Sequence, residues 1–221
     1  PPRSTPLYSS AASDVYKRQA EYFRDQGNNV LLLCDSLTRV AHAQREVGLA
    51  IGEPPTAKGY PPSVFALMPK LIERAGVGKH GYGSITAVYT VLAEGDDKTD
   101  PIVDIARASL DGQVMLSRDL ADAAHYPAID LEGSISRVME SIVEPSHLEN
   151  ANKLRRLWTL YKQNQDLIQV GAYESGSNSD LDLAITLRKE VEDLLQQNSS
   201  EAFSMDTCRG LLEEVLGDDY V

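Results

Sequence analysis

The 221-residue sequence has only two cysteines, Cys34 and Cys208, and no apolar run that approaches 18 residues. The cysteines lie far apart and do not have the spacing of metal ligands, which is typical of reduced intracellular thiols rather than of a disulfide framework. The absence of a long apolar run argues against a membrane-spanning helix and a hydrophobic signal segment. We therefore expect a cytoplasmic protein.

Basic residues are also scarce, with 21 Lys and Arg against 33 Asp and Glu, a formal net charge of −12 and a pI near 4.7. A surface that binds nucleic acid needs clustered positive charge, so we expect no nucleic-acid partner. The four histidines do not form an H-E-x-x-H motif, and no serine lies in G-x-S-x-G. The motifs of zinc proteases and of α/β-hydrolases are therefore not present.

A third absence concerns the phosphate loop. In NNVLLLCDSLTR (28–39), an apolar run leads directly into Asp35. Such a run predicts a fully buried parallel strand, and an acid at its carboxyl end lies where open α/β sheets bind ligands. A nucleotide-binding ATPase holds Mg²⁺ in this way, yet no G-x-x-x-x-G-K-[ST] loop occurs in the chain.

The pattern along the chain predicts three regions. Residues 1–19 combine three early prolines with a Ser/Ala cluster, and we interpret them as a disordered leader of non-native sequence, with a genuine disordered arm as the alternative. Residues 20–144 alternate strand and helix patterns. Residues 145–221 show apolar side chains every three or four positions, which predicts an all-helical domain.

Five blocks, in this order, resemble the type III secretion and flagellar export ATPases: DSLTR (35–39), GEPPTAKGYPPSVF (52–65), GSITAVYTVLAEGDD (83–97), HYPAID (125–130) and SISRVM (134–139). The catalytic subunit of rotary ATP synthases is similar at a greater distance. The resemblance implies an α/β fold, a partial RecA-like nucleotide-binding domain with a mostly parallel sheet, followed by an all-α carboxyl-terminal domain. In this family the phosphate loop lies upstream of the strand that carries the Asp, so the chain resembles the carboxyl-terminal half of a larger ATPase.

The resemblance also implies roles for four residues, with ATP and Mg²⁺ as cofactors. Asp35 matches the Walker B aspartate, which holds Mg²⁺; capping the next helix is the alternative. Arg39 matches a residue that holds groups of the phosphate site, or it is a solvated helix arginine. Tyr126 matches the aromatic that stacks on adenine, or it packs beside its proline. Arg137 matches an arginine finger that reaches the neighbouring subunit's nucleotide, or it forms a structural salt bridge.

Two functions remain open from the sequence. The first is part of a homohexameric ATPase, peripheral at the inner-membrane export gate, that releases and unfolds export substrates from chaperones. Its helical tail would contact partners such as stalk and regulator proteins. The second is a non-catalytic interaction module that binds export partners through the helical tail. The missing phosphate loop separates the two, because the chain alone is expected to be inactive in ATP hydrolysis.

Overall fold

The structure is a computed structural model, and it describes residues 6–79, 82–93, 95 and 99–216. The chain divides into two compact units, with the boundary after Leu110. The strands that follow Leu110 pack with the helical region: Leu131 contacts the helical core, and Arg155 donates to the Ser134 carbonyl at 3.1 Å. The division near residue 144 that the sequence predicts, between a nucleotide-binding part and a helical part, stays a prediction.

The first unit is an α/β layer whose elements follow one another as α1 (Pro6–Asp25), β1 (Asn29–Cys34), α2 (Leu37–Ala50), α3 (Pro62–Ile72), β2 (Gly76–Val77), β3 (Ser84–Tyr89) and α4 (Pro101–Ser109). The sheet order is β1-β3-β2. Strands β1 and β3 pair in parallel along six residues, and the short β2 pairs antiparallel with β3. The α/β class and the parallel pairing of the first strand agree with the sequence.

The helices cover one face of this sheet and build the core of the first unit. Apolar side chains recur along α2 and α3 at helical spacing, which places them against each other and against α4. Met68 and Val64 of α3 are completely buried there. The full set of buried core residues is Leu37, Val40, Ala41, Tyr60, Val64, Met68, Leu71, Ile72, Ile102 and Ala106.

Strand β1 is not fully buried, so that expectation is wrong. Exposure alternates along the strand, and Leu31 and Leu33 are 64% and 70% exposed. The apolar run predicted a strand covered on both faces, as in parallel sheets that have helices on each side. In the described part of the chain, helices bury only one of these faces.

The leader was expected to be disordered, but residues 6–19 are helical and belong to α1, so the expectation is wrong for them; residues 1–5 lie outside the described part. Proline is compatible with the first turn of a helix, which is why Pro6 does not prevent α1 from starting there. Lys17 is buried and donates to the Tyr89 hydroxyl. Tertiary contacts therefore support a segment that has no visible apolar period.

Arg74, just after α3, forms hydrogen bonds with two acidic side chains of α1. Its Nε and Nη2 donate to the two carboxylate oxygens of Glu21, both at 2.8 Å, and its Nη1 donates to Asp14 at 2.5 Å. Hydrogen bonds from the Arg74 guanidinium hold the pKa of both carboxyls below their usual values. A carboxyl whose pKa is lowered in the folded state stabilises that state at pH values above the usual pKa. The stabilisation is lost as the pH falls through the lowered value.

We therefore expect Arg74→Ala to reduce the free energy of unfolding by about 1 kcal/mol near neutral pH, because the three groups are only partly buried. The difference from wild type should shrink below about pH 4, as the carboxyls become protonated. Urea unfolding followed by far-ultraviolet circular dichroism at both pH values measures it. Arg18→Ala, which removes a more exposed ion pair with Asp14, is the matched control with a smaller effect. A pH-independent difference would contradict the assignment.

The second unit begins with an antiparallel pair of strands and continues as helices: β4 (Gly112–Leu116), α5 (Arg118–Asp122), β5 (Ile129–Ser136), α6 (Met139–Ile142), α7 (Pro145–Gln169), α8 (Ser179–Thr186), α9 (Arg188–Leu195) and α10 (Met205–Leu216). Residues 134–136 were predicted near a turn but lie in β5, which has a register irregularity opposite Gln113 and Met115. The helical pattern from residue 181 onward is divided at Leu187 into α8 and α9.

The core of the second unit joins α7 to the three helices that follow it. Trp158 and Tyr161 of α7 are the aromatic members of this core. The buried set is Leu154, Leu157, Trp158, Tyr161, Leu181, Ala184, Leu187, Val191, Leu212 and Leu216. Among the helices that the structure describes, none has both the length and the apolar character that crossing a membrane requires.

Candidate functional site

Asp35 lies at the carboxyl end of β1, as the sequence predicted. Its carboxylate is exposed, and Oδ1 accepts a 2.6 Å hydrogen bond from the hydroxyl of Thr90, the residue that follows β3. Thr90 is itself fixed by the backbone, because its N–H donates to the Cys34 carbonyl at 3.0 Å and its carbonyl accepts from Leu37. Two adjacent parallel strand ends therefore orient one carboxylate toward solvent.

The alternative role of Asp35 as the cap of α2 is wrong. Ser36 is the N-cap residue, and its hydroxyl accepts from the backbone N–H of Arg39 at 3.3 Å. Ser36 is also buried, whereas Asp35 is exposed. The carboxylate is thus left for a role other than capping.

Arg39 lies about one helical turn after Asp35 in the sequence, and it is exposed. Both residues line a cavity of about 490 Å³ between α1, β1 and α2. The structure thus places the two candidate residues of the first unit, one acidic and one basic, in the lining of the same cavity.

The inner wall of this cavity contains groups that sequence reasoning missed. Lys17 and Cys34 line it, and burial lowers the pKa of Lys17 to about 8 and raises that of the Cys34 thiol. Burial also raises the pKa of Tyr89, the partner of Lys17, to about 12. No local pattern could have identified Lys17, because its burial depends on how α1 packs on the sheet.

Tyr126 lies in the second unit, in the loop between α5 and β5. Tyr126 as a whole is 56% exposed, and its hydroxyl donates to the Ala121 carbonyl at 3.2 Å. Its own carbonyl accepts a hydrogen bond from the backbone N–H of Gln197 at 2.9 Å. The ring is therefore held at its hydroxyl and at its backbone while much of its surface remains open, which stacking on a base requires.

Arg137 follows β5 directly and is exposed. Its backbone N–H donates to the Asp111 carbonyl at 2.8 Å, at one end of β4, whereas Ala128 near Tyr126 accepts from Ser117 at the other end. The five residues of β4 lie between Asp111 and Ser117, which places these two residues roughly 20 Å apart. The structure therefore does not bring Arg137 and Tyr126 to the same place within this unit.

The donor set around Asp35 fits one mode of Mg²⁺ binding. Among the residues that the structure describes, no three His, Cys, Asp or Glu side chains cluster as a metal site. Mg²⁺ in nucleotide sites commonly uses only one or two carboxylates, together with water and substrate phosphates. A single oriented carboxylate such as Asp35 is compatible with a metal that is shared with a nucleotide.

Two family models match the chain. One is described as the ATP synthase alpha/beta family, nucleotide-binding domain, and matches residues 5–136. The other is described as the T3SS EscN ATPase C-terminal domain and matches residues 143–214. The first match contains Asp35, Arg39 and Tyr126 and includes most of the segment interpreted as a leader. Arg137 lies between the two matched regions.

Flagellar and type III secretion ATPases are among the relatives of this chain. The flagellum-specific ATP synthase of Pseudomonas aeruginosa is 55% identical over 216 residues, which are 98% of this chain and 48% of that protein. The assembled ATPase EscN from the enteropathogenic E. coli type III secretion system superposes with a TM-score of 0.90 at 46% identity, over 93% of this chain and 49% of EscN. EscN in complex with its central stalk EscO gives a TM-score of 0.87 at 44% identity, over 96% of this chain and 50% of that one.

The chain therefore spans about half the length of the relatives that it matches. The resemblance to export ATPases, which five short sequence blocks indicated, is confirmed by matches that run along almost the entire sequence. Since one family model alone covers more than half of its residues, the chain belongs to the ATP synthase alpha/beta family, with flagellum-specific and type III secretion ATPases as its relatives.

Proposed function

We propose that this chain is the carboxyl-terminal portion of a flagellar or type III export ATPase and contributes one side of a nucleotide site. The observation that carries the proposal is the oriented carboxylate of Asp35 at the end of β1, beside Arg39, in a chain 55% identical to a flagellum-specific ATP synthase. Proteins of this class bind Mg²⁺ and phosphate beside an acidic residue at the end of a parallel strand.

The four candidate residues divide the work of nucleotide binding and hydrolysis. Asp35 would hold Mg²⁺, which would supply charge neutralisation for the phosphates. Arg39 holds groups of the phosphate site on the same cavity rim. Tyr126 stacks its exposed ring on adenine. Arg137 reaches the nucleotide of a neighbouring subunit, which is supported by its place at the opposite end of β4 from the loop that carries Tyr126.

A trans-acting arginine requires an oligomer, and we propose a homohexamer that is peripheral at the inner-membrane export gate in the cytoplasm. The assembled EscN structures, one with the stalk EscO, support an assembly of this kind with a stalk partner. Export substrates, their chaperones and regulator proteins complete the proposed set of partners. In this proposal the helices from Pro145 onward carry partner contacts.

A chimeric protein tests the proposal. This chain would replace the matched 216-residue region of the Pseudomonas aeruginosa flagellum-specific ATP synthase, and ATP hydrolysis would be measured for the chimera and for the chain alone. We expect Mg²⁺-dependent hydrolysis by the chimera and negligible hydrolysis by the chain alone, which has no G-x-x-x-x-G-K-[ST] sequence. Restored swimming of cells that lack the relative would support the export role.

The second candidate is a non-catalytic interaction module, which would not need a G-x-x-x-x-G-K-[ST] sequence, and this chain contains none. The two candidates give opposite results with the chimera. A folded, assembled chimera that does not hydrolyse ATP would favour the interaction module. Substantial hydrolysis by the chain alone would contradict the proposal that this chain contributes only one side of the nucleotide site.

A further inference from the structure

The helical tail holds the loop that carries Tyr126. The side-chain amide of Gln196, which follows α9, lies 3.2 Å from Nδ1 of His125. The next residue, Gln197, donates its backbone N–H to the Tyr126 carbonyl at 2.9 Å. Two adjacent residues at the end of one helix thus bind two adjacent residues of the loop, and all four belong to the same compact unit.

His125 is the buried member of this contact. It is 8% exposed, and its ring lies 6.4 Å from the ring of Trp158 in α7. With the Gln196 amide as the donor, Nδ1 is the acceptor nitrogen of the imidazole. The imidazole is therefore fixed by a packing contact and by a hydrogen bond, and it is covalently next to Tyr126.

The backbone of the loop needs such support. Ala124 has φ = +56°, a left-handed conformation that residues other than glycine rarely adopt. The N–H groups of Ala124 and His125 donate to the carbonyls of Ala121 and Leu120, at 3.0 and 2.9 Å. A strained turn of this kind persists when the surrounding structure fixes it from several sides.

We propose that Gln196 is a positioning residue that fixes the Tyr126 ring for adenine through His125. The inference rests on the proposed function, in which Tyr126 stacks on the base. In this proposal the end of α9 controls nucleotide affinity, because a displacement of residues 196 and 197 shifts the loop that carries Tyr126. Gln196 itself is not expected to touch the nucleotide.

The first experiment measures amide hydrogen exchange in the chain itself and needs no catalysis. Gln196→Leu removes the side-chain hydrogen bond and is expected to speed exchange at His125 and Gln197 about 3- to 10-fold, the range for one net hydrogen bond. The control is Asn164→Leu, which removes an amide that donates to the Leu160 carbonyl at 2.8 Å within α7. Unchanged exchange at both amides in Gln196→Leu would overturn the inference.

The second experiment measures kinetics in the chimera. Gln196→Leu is expected to raise the KM for ATP about 3- to 10-fold and to leave kcat within about twofold, because only base positioning is weakened. In a Tyr126→Leu background the same substitution should have no further effect on KM, since the ring that it positions is gone. An equal rise in both backgrounds, or a fall in kcat alone, would contradict the positioning role.

The two experiments separate the inference from the proposed function. An inactive chimera would count against the proposed function only. The exchange result would then still decide whether Gln196 holds the loop, since it reads the His125 and Gln197 amides directly.

Discussion

Arg137→Ala should lower the kcat of the chimeric ATPase by about 10³-fold or more while the KM for ATP changes little. An arginine finger acts on charge that develops over the γ-phosphate, so its loss is felt in the transition state more than in substrate binding. Arg137 is exposed and follows β5, so its side chain does not belong to either buried core, and its replacement should leave the fold intact. Steady-state kinetics and a circular dichroism spectrum of the variant measure both effects.

Arg137→Lys is the matched control. It keeps the charge but replaces the planar fork by a single ammonium, so most of the loss should remain. If Lys restored full activity, the residue would act as a simple point charge and the finger role would be wrong. If Ala had no effect on kcat, the structural alternative of a salt bridge would be favoured.

Subunit mixing tests whether Arg137 acts across a subunit boundary. A hexamer of Arg137→Ala subunits and a hexamer of Asp35→Asn subunits should each be nearly inactive. Mixed hexamers should regain activity, because an Arg137→Ala subunit keeps Asp35 and can receive Arg137 from an Asp35→Asn neighbour. If mixing gave no gain over either parent, Arg137 would serve the nucleotide of its own subunit.

The local parts of the fold were predictable because short-range signals determine them. The apolar run from Val30 to Leu33 predicted β1, and Ser36 predicted the start of α2. The position of Asp35 at the strand end followed directly from these two. Each signal depends on neighbours within a few residues, and no distant contact had to be known.

The missed parts depend on distant contacts. Strand β5 is defined by its pairing with β4 rather than by its own composition, so residues 134–136 carried no clear strand signal. Lys17 and Tyr89 meet over 72 positions of sequence, and Gln196 and His125 over 71. The exposed half of β1 could not be foreseen either, since an apolar run does not show which face the neighbouring segments cover.

The prediction for Asp35 concerns the metal. Asp35→Asn in the chimera should lower Mg²⁺-dependent kcat by about 10²-fold or more, because a neutral amide holds the hydrated cation poorly and metal charge contributes several kcal/mol in the transition state. The amide oxygen can still accept the hydrogen bond that Thr90 now donates to Oδ1 at 2.6 Å. The substitution therefore changes the charge and keeps the local geometry.

Thr90→Val separates orientation from charge at the same site. It removes the hydroxyl that holds Oδ1 but leaves the carboxylate, so we expect less than about a tenfold loss of kcat, consistent with one hydrogen bond to a charged group. Titration of activity with Mg²⁺ should show a larger shift in the half-saturating concentration for Asp35→Asn than for Thr90→Val. Equal shifts would mean that the Thr90 hydroxyl matters as much as the charge, and an Asp35→Asn chimera with wild-type Mg²⁺ dependence would remove the metal role from Asp35. Because Ser36 alone caps α2, a loss of activity in Asp35→Asn could not be attributed to a lost helix cap.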